Sequence, residues 1–406
     1  MAQRGLRNAI CLALSFLVLS FFLTQAFGWS NGGYSDDPHN PNYGTHDWIA
    51  EHALDWLPGE EKFFILENLE FFLYGTELPD NSHAIDGIGD TSKHHVYYRK
   101  DGSLQDDASA VRAQEEFEAA LSLYLSGDIL GAVKRLGVMT HYISDVAVFG
   151  HVMGKATDWG EEKHHSDYER EVNERTSSYE SAFNIYLFFD GNLELISAYN
   201  ATLKLAYDTT FDISGKNRTC IWMDENYNWS NPQFVDRCGE SLNYAVNLIA
   251  DVLHTFYLEI IKLDSDPPEI SVPEQNPPAD NVQPGQNVLV RVNVTDHLTS
   301  IKNVTLWYKM GDETDWTIVC MAKISQNTYQ AEIPGCEGEV WVVYKIVAYD
   351  GAGNSAIKDN HGYYYRYYVI PEYPFIALPL LTLILATLIL KSLNRKRRGV
   401  TELIMR

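Results

Sequence analysis

Positive charge is scarce in this 406-residue chain: 31 lysines and arginines face 55 aspartates and glutamates, for a formal net charge of -24. Such a surface repels polyanions unless a local basic patch intervenes. The one basic cluster, Arg395-Lys-Arg-Arg398, sits at the extreme C-terminus, so nucleic acid is disfavoured as a partner. Cysteine is scarce too, at five residues. Cys11 lies in an N-terminal apolar run, which leaves Cys220/Cys238 and Cys320/Cys336 as two local pairs. In an exported chain these read as two disulfides, although three connectivities are formally open.

Long uncharged apolar runs occur at the two ends. Arg4 and Arg7, the run from Ile10 to Leu23, and Ala26-Phe-Gly28 read as a secretory signal over residues 1–28, whose removal leaves Trp29 first. Near the C-terminus, Pro371-Glu-Tyr-Pro374 makes a stiff joint before an apolar run from Phe375 to Leu390. With Lys391 able to snorkel and basic residues following, residues 371–394 read as a transmembrane anchor and 395–406 as a cytoplasmic tail. The expected arrangement is a single-pass protein of the cell membrane with an extracellular ectodomain. Sequons at Asn200, Asn217, Asn228, Asn293 and Asn303 are compatible with glycosylation on that face.

Between the ends the hydrophobic period changes once. Residues 29–266 repeat at helical spacing and define an all-α domain. Thr45 is placed to cap a first helix carrying Trp48, Ile49, Ala53 and Leu54. A second runs through Phe63 and Phe72 and ends at Gly75, and others cover Ala108 to Ser126 and Ile129 to Val148. Further helices are expected from His165 to Thr176, Tyr179 to Tyr207 and Ser241 to Leu263. Residues 267–370 alternate with period two, as in Val288, Val290, Val292 and Val294. Turn residues break the runs, which suggests an immunoglobulin- or fibronectin-like β-sandwich. Tyr363 to Tyr368 fits its terminal strand.

Chemistry concentrates between residues 141 and 169. His141/Asp145 and His165/Glu169 are i, i+4 pairs, and His151 lies between them. On a helix such a pair aims an imidazole and a carboxylate at one point, and these are donors that zinc accepts. His46, Asp80 and the neighbours His94-His95 are upstream candidates. His39, His52, His83, His164, His254, His297 and His361 read as surface or satisfied polar side chains.

In order and character, Trp29 to Leu263 resembles the zinc-dependent phospholipase C family and its relatives, the single-strand-specific zinc nucleases. His46-Asp-Trp-Ile, Asp80, His95-Val-Tyr, His141-Tyr-Ile-Ser-Asp145, His151 and His165-Ser-Asp-Tyr-Glu169 carry the resemblance, with His94 an alternative to His95. It implies three zinc ions. Asp80, His95, His141 and Asp145 would hold one; Trp29, through its amine and carbonyl, with His46 and bridging Asp145, a second; and His151, His165 and Glu169 a third. Asp80 and Asp145 would be the catalytic residues, with Asp80 also taking a proton from water. The family's Gln-Pro before the bracketed histidine is Phe149-Gly150 here, and Asn81 replaces the aromatic that often follows the loop aspartate. The expected function is zinc-dependent phosphodiester hydrolysis with phospholipid as substrate. A nuclease or other phosphoesterase, and a non-enzymatic zinc-binding surface protein, are the alternatives. Closing on Glu169 rather than aspartate favours the lipase.

Overall fold

The computed structural model describes residues 35, 37–81, 88, 90, 92–370 and 381–393. The expected signal peptide, Trp29 and the basic tail lie outside the described residues. Two compact units are present, residues 1–264 and 265–406.

The first unit is helical: α1 (Thr45–Asp55), α2 (Gly59–Leu66), α3 (Leu69–Glu77), α4 (Ala108–Leu125), α5 (Ile129–Asp145), α6 (His165–Asn173), α7 (Ala198–Phe211), α8 (Cys220–Glu225) and α9 (Pro232–Leu263). The α5 helix is the axis, packed against α3, α4, α7 and α9. Every residue from Leu136 to Met153 is buried. A stretch that includes His141, Asp145 and His151 cannot be buried at low cost unless those groups are compensated.

Gly75 does not end its helix, as the sequence suggested, but lies inside α3. A Cβ there would sit 2.2 Å from the Lys134 carbonyl oxygen, and one at Gly137 would sit 2.0 Å from that of Phe72. The paired glycines let the α3 and α5 backbones touch, which sets the spacing between Asp80, just past α3, and the ligand-bearing end of α5.

Two further expectations in this unit are corrected. A small antiparallel hairpin, β1 (Tyr97–Tyr98) with β2 (Leu104–Asp106), interrupts the helices. The helix expected from Tyr179 to Tyr207 forms only from Ala198; before it come a 3-10 turn at Ala182–Tyr186 and an extended strap over residues 187–197. The strap is held by α9. Asn243, Asn247, Asp251 and Thr255 accept the backbone N–H groups of Phe188, Asp190, Glu194 and Ile196 in turn. Four helical residues rise about 6.0 Å and two extended residues about 6.6 Å, so the two repeats match closely enough for one side chain per step. The Asp190-Gly191-Asn192 turn absorbs the extra pair of residues. The α9 helix is long and apolar enough to cross a membrane, but 67% of its most apolar window is buried, as suits a core helix.

The second unit is a sandwich of two antiparallel sheets. One has the order β11 (Ser355–Lys358), β10 (Trp341–Asp350), β6 (Ile301–Met310), β7 (Thr317–Cys320), with β12 (Tyr365–Tyr368) also on β10. The other has the order β3 (Glu269–Ile270), β5 (Val288–Thr295), β9 (Thr328–Ile333), β8 (Ala322–Lys323), with β4 (Glu274–Asn276) also on β5. Val288, Val290, Val292 and Val294 all face the core, as period two requires.

All four cysteines described are free thiols, so neither expected disulfide forms. Cys320 pairs with Thr305 on the outer face of its sheet, whereas Cys336 packs against the core side. The buried Cys238 sulfur accepts the Tyr168 hydroxyl instead. Of the expected anchor, Leu381–Leu393 is an apolar helix of 13 residues with its side chains exposed; residues 371–380 and 394 lie outside the described residues.

Gly137→Ala should destabilise the protein by about 2–3 kcal/mol, because the clash is with a backbone carbonyl that cannot rotate away. Gly59→Ala, whose added Cβ meets nothing within 4 Å, should stay within about 0.5 kcal/mol. Thermal unfolding of the two variants measures the difference.

Candidate metal centre

Asp145 is the last residue of α5 and wholly buried. A carboxylate there meets the negative end of the helix dipole as well as a desolvated setting, so it persists only among cations or their equivalents. Four imidazoles supply that setting. Oδ2 lies 2.5 Å from His94 Nδ1 and 3.1 Å from His141 Nε2, and Oδ1 lies 3.3 Å from His46 Nε2 and 3.9 Å from His151 Nε2. Asp80 joins from the end of α3, 3.6 Å from His94 Nδ1 and 3.8 Å from His141 Nε2. Alongside, His151 Nε2, His165 Nε2 and Glu169 Oε1 meet at 2.8–3.2 Å.

Hydrogen bonds on the outer side of these rings decide which nitrogens face inward bare. His141 Nδ1 donates to the Thr76 carbonyl at 2.6 Å and His94 Nε2 to the Asp90 carbonyl at 2.8 Å. Ser144 donates its own hydroxyl proton to the His141 carbonyl, so it accepts from His46 Nδ1 at 2.7 Å. His165 Nδ1 lies 3.4 Å from the Glu162 carboxylate. With those protons committed outward, the opposite nitrogens converge, open to a metal once any second proton is displaced. His94 Nδ1 and His141 Nε2 are 3.2 Å apart, as are His151 Nε2 and His165 Nε2. Zinc bonds of 2.0–2.1 Å in a tetrahedron place ligand atoms about 3.3 Å apart. A proton can bridge one such pair but not all of them: buried His46 Nε2, Asp145 Oδ1 and Glu169 Oε2 make no hydrogen bond. The donor types, their spacing and these orphaned atoms fit metal ions. Among the described residues of this cluster, three sets have the closeness required: His46/Asp80/His141, His94/His141/Asp145 and His151/His165/Glu169.

One residue of the sequence reading is corrected. His94, not His95, turns into the cluster, because the chain entering β1 alternates sides. His95 points outward, with Nε2 3.2 Å from Asp106 and its ring stacked on Tyr97 at 4.4 Å. The residues that the motifs did not reveal are those that orient the donors: Thr76, Asp90, Ser144 and Glu162. Gly150 is another, since a Cβ there would meet the His165 ring at 2.5 Å. The substitution of Phe149-Gly150 therefore has a local logic: Phe149 fills the core beside Tyr168, and Gly150 leaves room for the imidazole. Of the histidines read as bystanders, buried His52 bonds Asp55 and the Tyr179 carbonyl, and His254 pairs with Glu61.

Electrostatics follow the geometry. Burial, then the neighbouring His141, lower His46 to about 3. Burial works against protonating His94, but Asp145 and Asp80 raise it to about 9; likewise Glu169 and Glu162 overcome burial and raise His165 to about 10. Burial raises Asp80, whereas Asp145, despite burial, is held well below the carboxylate range by His141, His151 and His94. A cavity of about 270 Å³ opens beside the cluster, floored by Asp80, His94, His151 and His165, with His95, Tyr97, Glu161 and Glu162 among its walls.

A mainly helical unit brings imidazole and carboxylate donors together beside a small polar cavity, an arrangement that fits a metal centre. The sequence profile described as zinc dependent phospholipase C matches residues 45–244. Over those residues the helical unit is similar to that family. Among solved structures, the alpha toxin from Clostridium absonum aligns at 12% identity and a TM-score of 0.38, over 83% of this chain and 100% of that one. The Clostridium perfringens alpha-toxin from an avian strain aligns at 11% and 0.36, with the same coverage. At these scores neither structure bears on the chemistry. No curated protein matches the chain.

His94→Ala should lower the zinc content measured by elemental analysis, and His95→Ala should leave it at the wild-type value. The contribution of these three histidines to the stability of the metal-free protein should peak near pH 6.5. Above that, raised His94 and His165 hold protons that the unfolded chain releases, so their stabilisation is lost as pH climbs through about 9–10. Below it, His46 stays neutral down to about 3 while the unfolded chain protonates, so stability falls again. Melting temperatures of chelated protein from pH 4 to pH 10 test both limbs; a curve rising steadily above pH 7 contradicts the assignment.

Proposed function

We propose that the chain hydrolyses phospholipids, releasing the phosphorylated headgroup, at a centre of three zinc ions. The observation that carries this reading is the convergence of imidazole nitrogens and buried carboxylate oxygens on one headgroup-sized cavity. Asp80, His94, His141 and Asp145 would hold one ion, His46 and Asp145 with Trp29 a second, and His151, His165 and Glu169 a third. Zinc bound there would supply Lewis acidity, drawing the pKa of water towards about 7 and stabilising charge on the leaving oxygen.

The protein's own part is positioning and proton handling. Thr76, Ser144, Asp90 and Glu162 fix the ring orientations before substrate arrives. Asp145 divides its two oxygens between neighbouring donor sets, tying them into one centre. Asp80 lines the cavity with its carboxylate affinity for protons raised by burial, so it is placed to accept the proton of an attacking water. The acidic surface repels polynucleotides, which favours lipid over nucleic acid. The reading extends to topology: an exported ectodomain, anchored by a single span at residues 371–394 of which Leu381–Leu393 is the described part, held near its substrate.

Zinc-loaded protein should release phosphorylated headgroup from phospholipid, lose activity to a chelator and regain it with zinc. Asp145→Ala should lower kcat/KM by at least about 10³-fold. Preferred turnover of single-stranded DNA in a parallel assay would transfer the reading to a nuclease, and a folded Asp145→Ala protein working at the wild-type rate would overturn the mechanism.

A further inference from the structure

In the second unit, one end of the sandwich buries carboxylate of its own. Asp350 is the last residue of β10 and has no exposed surface. Asp296 directly follows β5, in the loop that carries the chain across to β6. The two acids thus come from different sheets, and a carboxylate oxygen of one lies within 4.8 Å of an oxygen of the other. Two like charges that close repel, so the pair persists only with a proton or a cation between them.

The loops around the pair oppose the proton. Asp350 Oδ1 accepts the backbone N–H groups of Gly353 at 2.7 Å and Asn354 at 2.8 Å. Asp296 Oδ1 accepts those of Leu298 at 3.0 Å and Thr299 at 2.7 Å. Such donors bond the ionised form of a carboxylate and so favour it. With Oδ1 turned back into its own hairpin, Asp350 keeps Oδ2 on the other side, buried and without a hydrogen bond. An ionised oxygen left in that state is costly, and a bound cation removes the cost.

The rest of this end suits a hard cation. Asn354 Nδ2 donates to the Asp266 carbonyl at 3.3 Å, and Glu269 pairs with Thr295, so the chain entering the sandwich is laid beside Asp296. A cavity of about 680 Å³ opens there, with Asp266, Glu269, Thr295 and Asp296 on its walls and exposed His297 adding a single imidazole. The donors are therefore overwhelmingly oxygen. Calcium accepts mixed carboxylate and carbonyl oxygens in flexible geometry at about 2.3–2.6 Å, enough for one ion to reach both acids. Magnesium demands a near-ideal octahedron and keeps its waters. We infer that the Asp296/Asp350 end of the sandwich is a calcium site, separate in chemistry and in place from the centre of the helical unit. The ion ties the β5 end of one sheet to the β10 end of the other, whatever the helical unit hydrolyses.

The test uses the full zinc-loaded chain, so that the histidine-rich centre is filled, and calcium chloride alone as the probe. Titration calorimetry should show one calcium-binding event with a Kd at or below about 1 mM, the range of extracellular calcium modules. Asp350→Asn keeps the Oδ1 acceptor and removes the spare carboxylate oxygen. It and Asp296→Asn should each weaken binding at least about tenfold, the loss expected for one contact to a charged group. Asp312→Asn, in the β6–β7 turn at the opposite end, should leave the affinity unchanged. Hydrogen exchange on the wild type needs no variant, and it decides alone if neither aspartate variant folds. About 10 mM calcium should slow the amides of Leu298, Thr299, Gly353 and Asn354 about tenfold, the factor 1 + [Ca2+]/Kd, and leave the β6–β7 turn as it was. No binding heat up to about 10 mM calcium, an affinity that both aspartate variants retain, or protection spread evenly over both ends overturns the inference. Magnesium binding tighter than calcium overturns the assignment to calcium.

Discussion

A fully buried carboxylate at the wrong end of a helix dipole is the constraint on which the helical unit depends. Asp145 can be kept there only if its surroundings supply positive charge, and the fold brings four imidazoles to it from four places in the chain: His46 on α1, His94 before β1, His141 one turn back on α5, and His151 just beyond. Each ring in turn needs an outward partner. Thr76, Ser144 and Asp90 are therefore bound to the same demand, and the Gly75/Gly137 contact that sets α3 against α5 is what lets those partners reach. Helix packing and metal chemistry are thus two aspects of one arrangement in this half of the molecule.

Much of this was legible in the sequence. The i, i+4 pairs at His141/Asp145 and His165/Glu169 name their helix faces without further help, and the valines at 288, 290, 292 and 294 name theirs. What could not be read was anything that depended on the far side of a contact. His94 and His95 are adjacent and chemically identical, and only the path into β1 decides which faces inward. Gly75 looked like a stop because glycine ends helices far more often than it joins them, and nothing local announces Gly137 across the interface. The cysteine pairs were an inference from spacing. In the sandwich, Cys320 and Cys336 are near one another in sequence, but Cys320 is exposed on β7 and Cys336 packs against the core beyond β9.

Residues 179–207 show a different limit. Their composition allows a helix, and the propensity of the segment does not oppose one strongly before Asp190-Gly191. The outcome is set by α9, whose polar side chains at every fourth position satisfy an extended backbone that would otherwise need a neighbouring strand. The decisive information sits about 55 residues later in the sequence, as the separations of 55, 57, 57 and 59 residues along the four bonds show.

That ladder frees the outward positions of the strap from the task of holding it. The α9 helix grips main-chain amides and leaves Phe188 and Leu195 pointing to solvent, while Phe189 stacks on Trp56. Beyond a need for N–H at the four gripped positions, the strap asks for Gly191 at its φ of 96° and for Phe189 against Trp56, and leaves its outward positions open. Residues 187–197 are therefore a place where this scaffold can change its outward chemistry, or receive a foreign epitope, while the buried centre some distance away along the chain keeps its geometry.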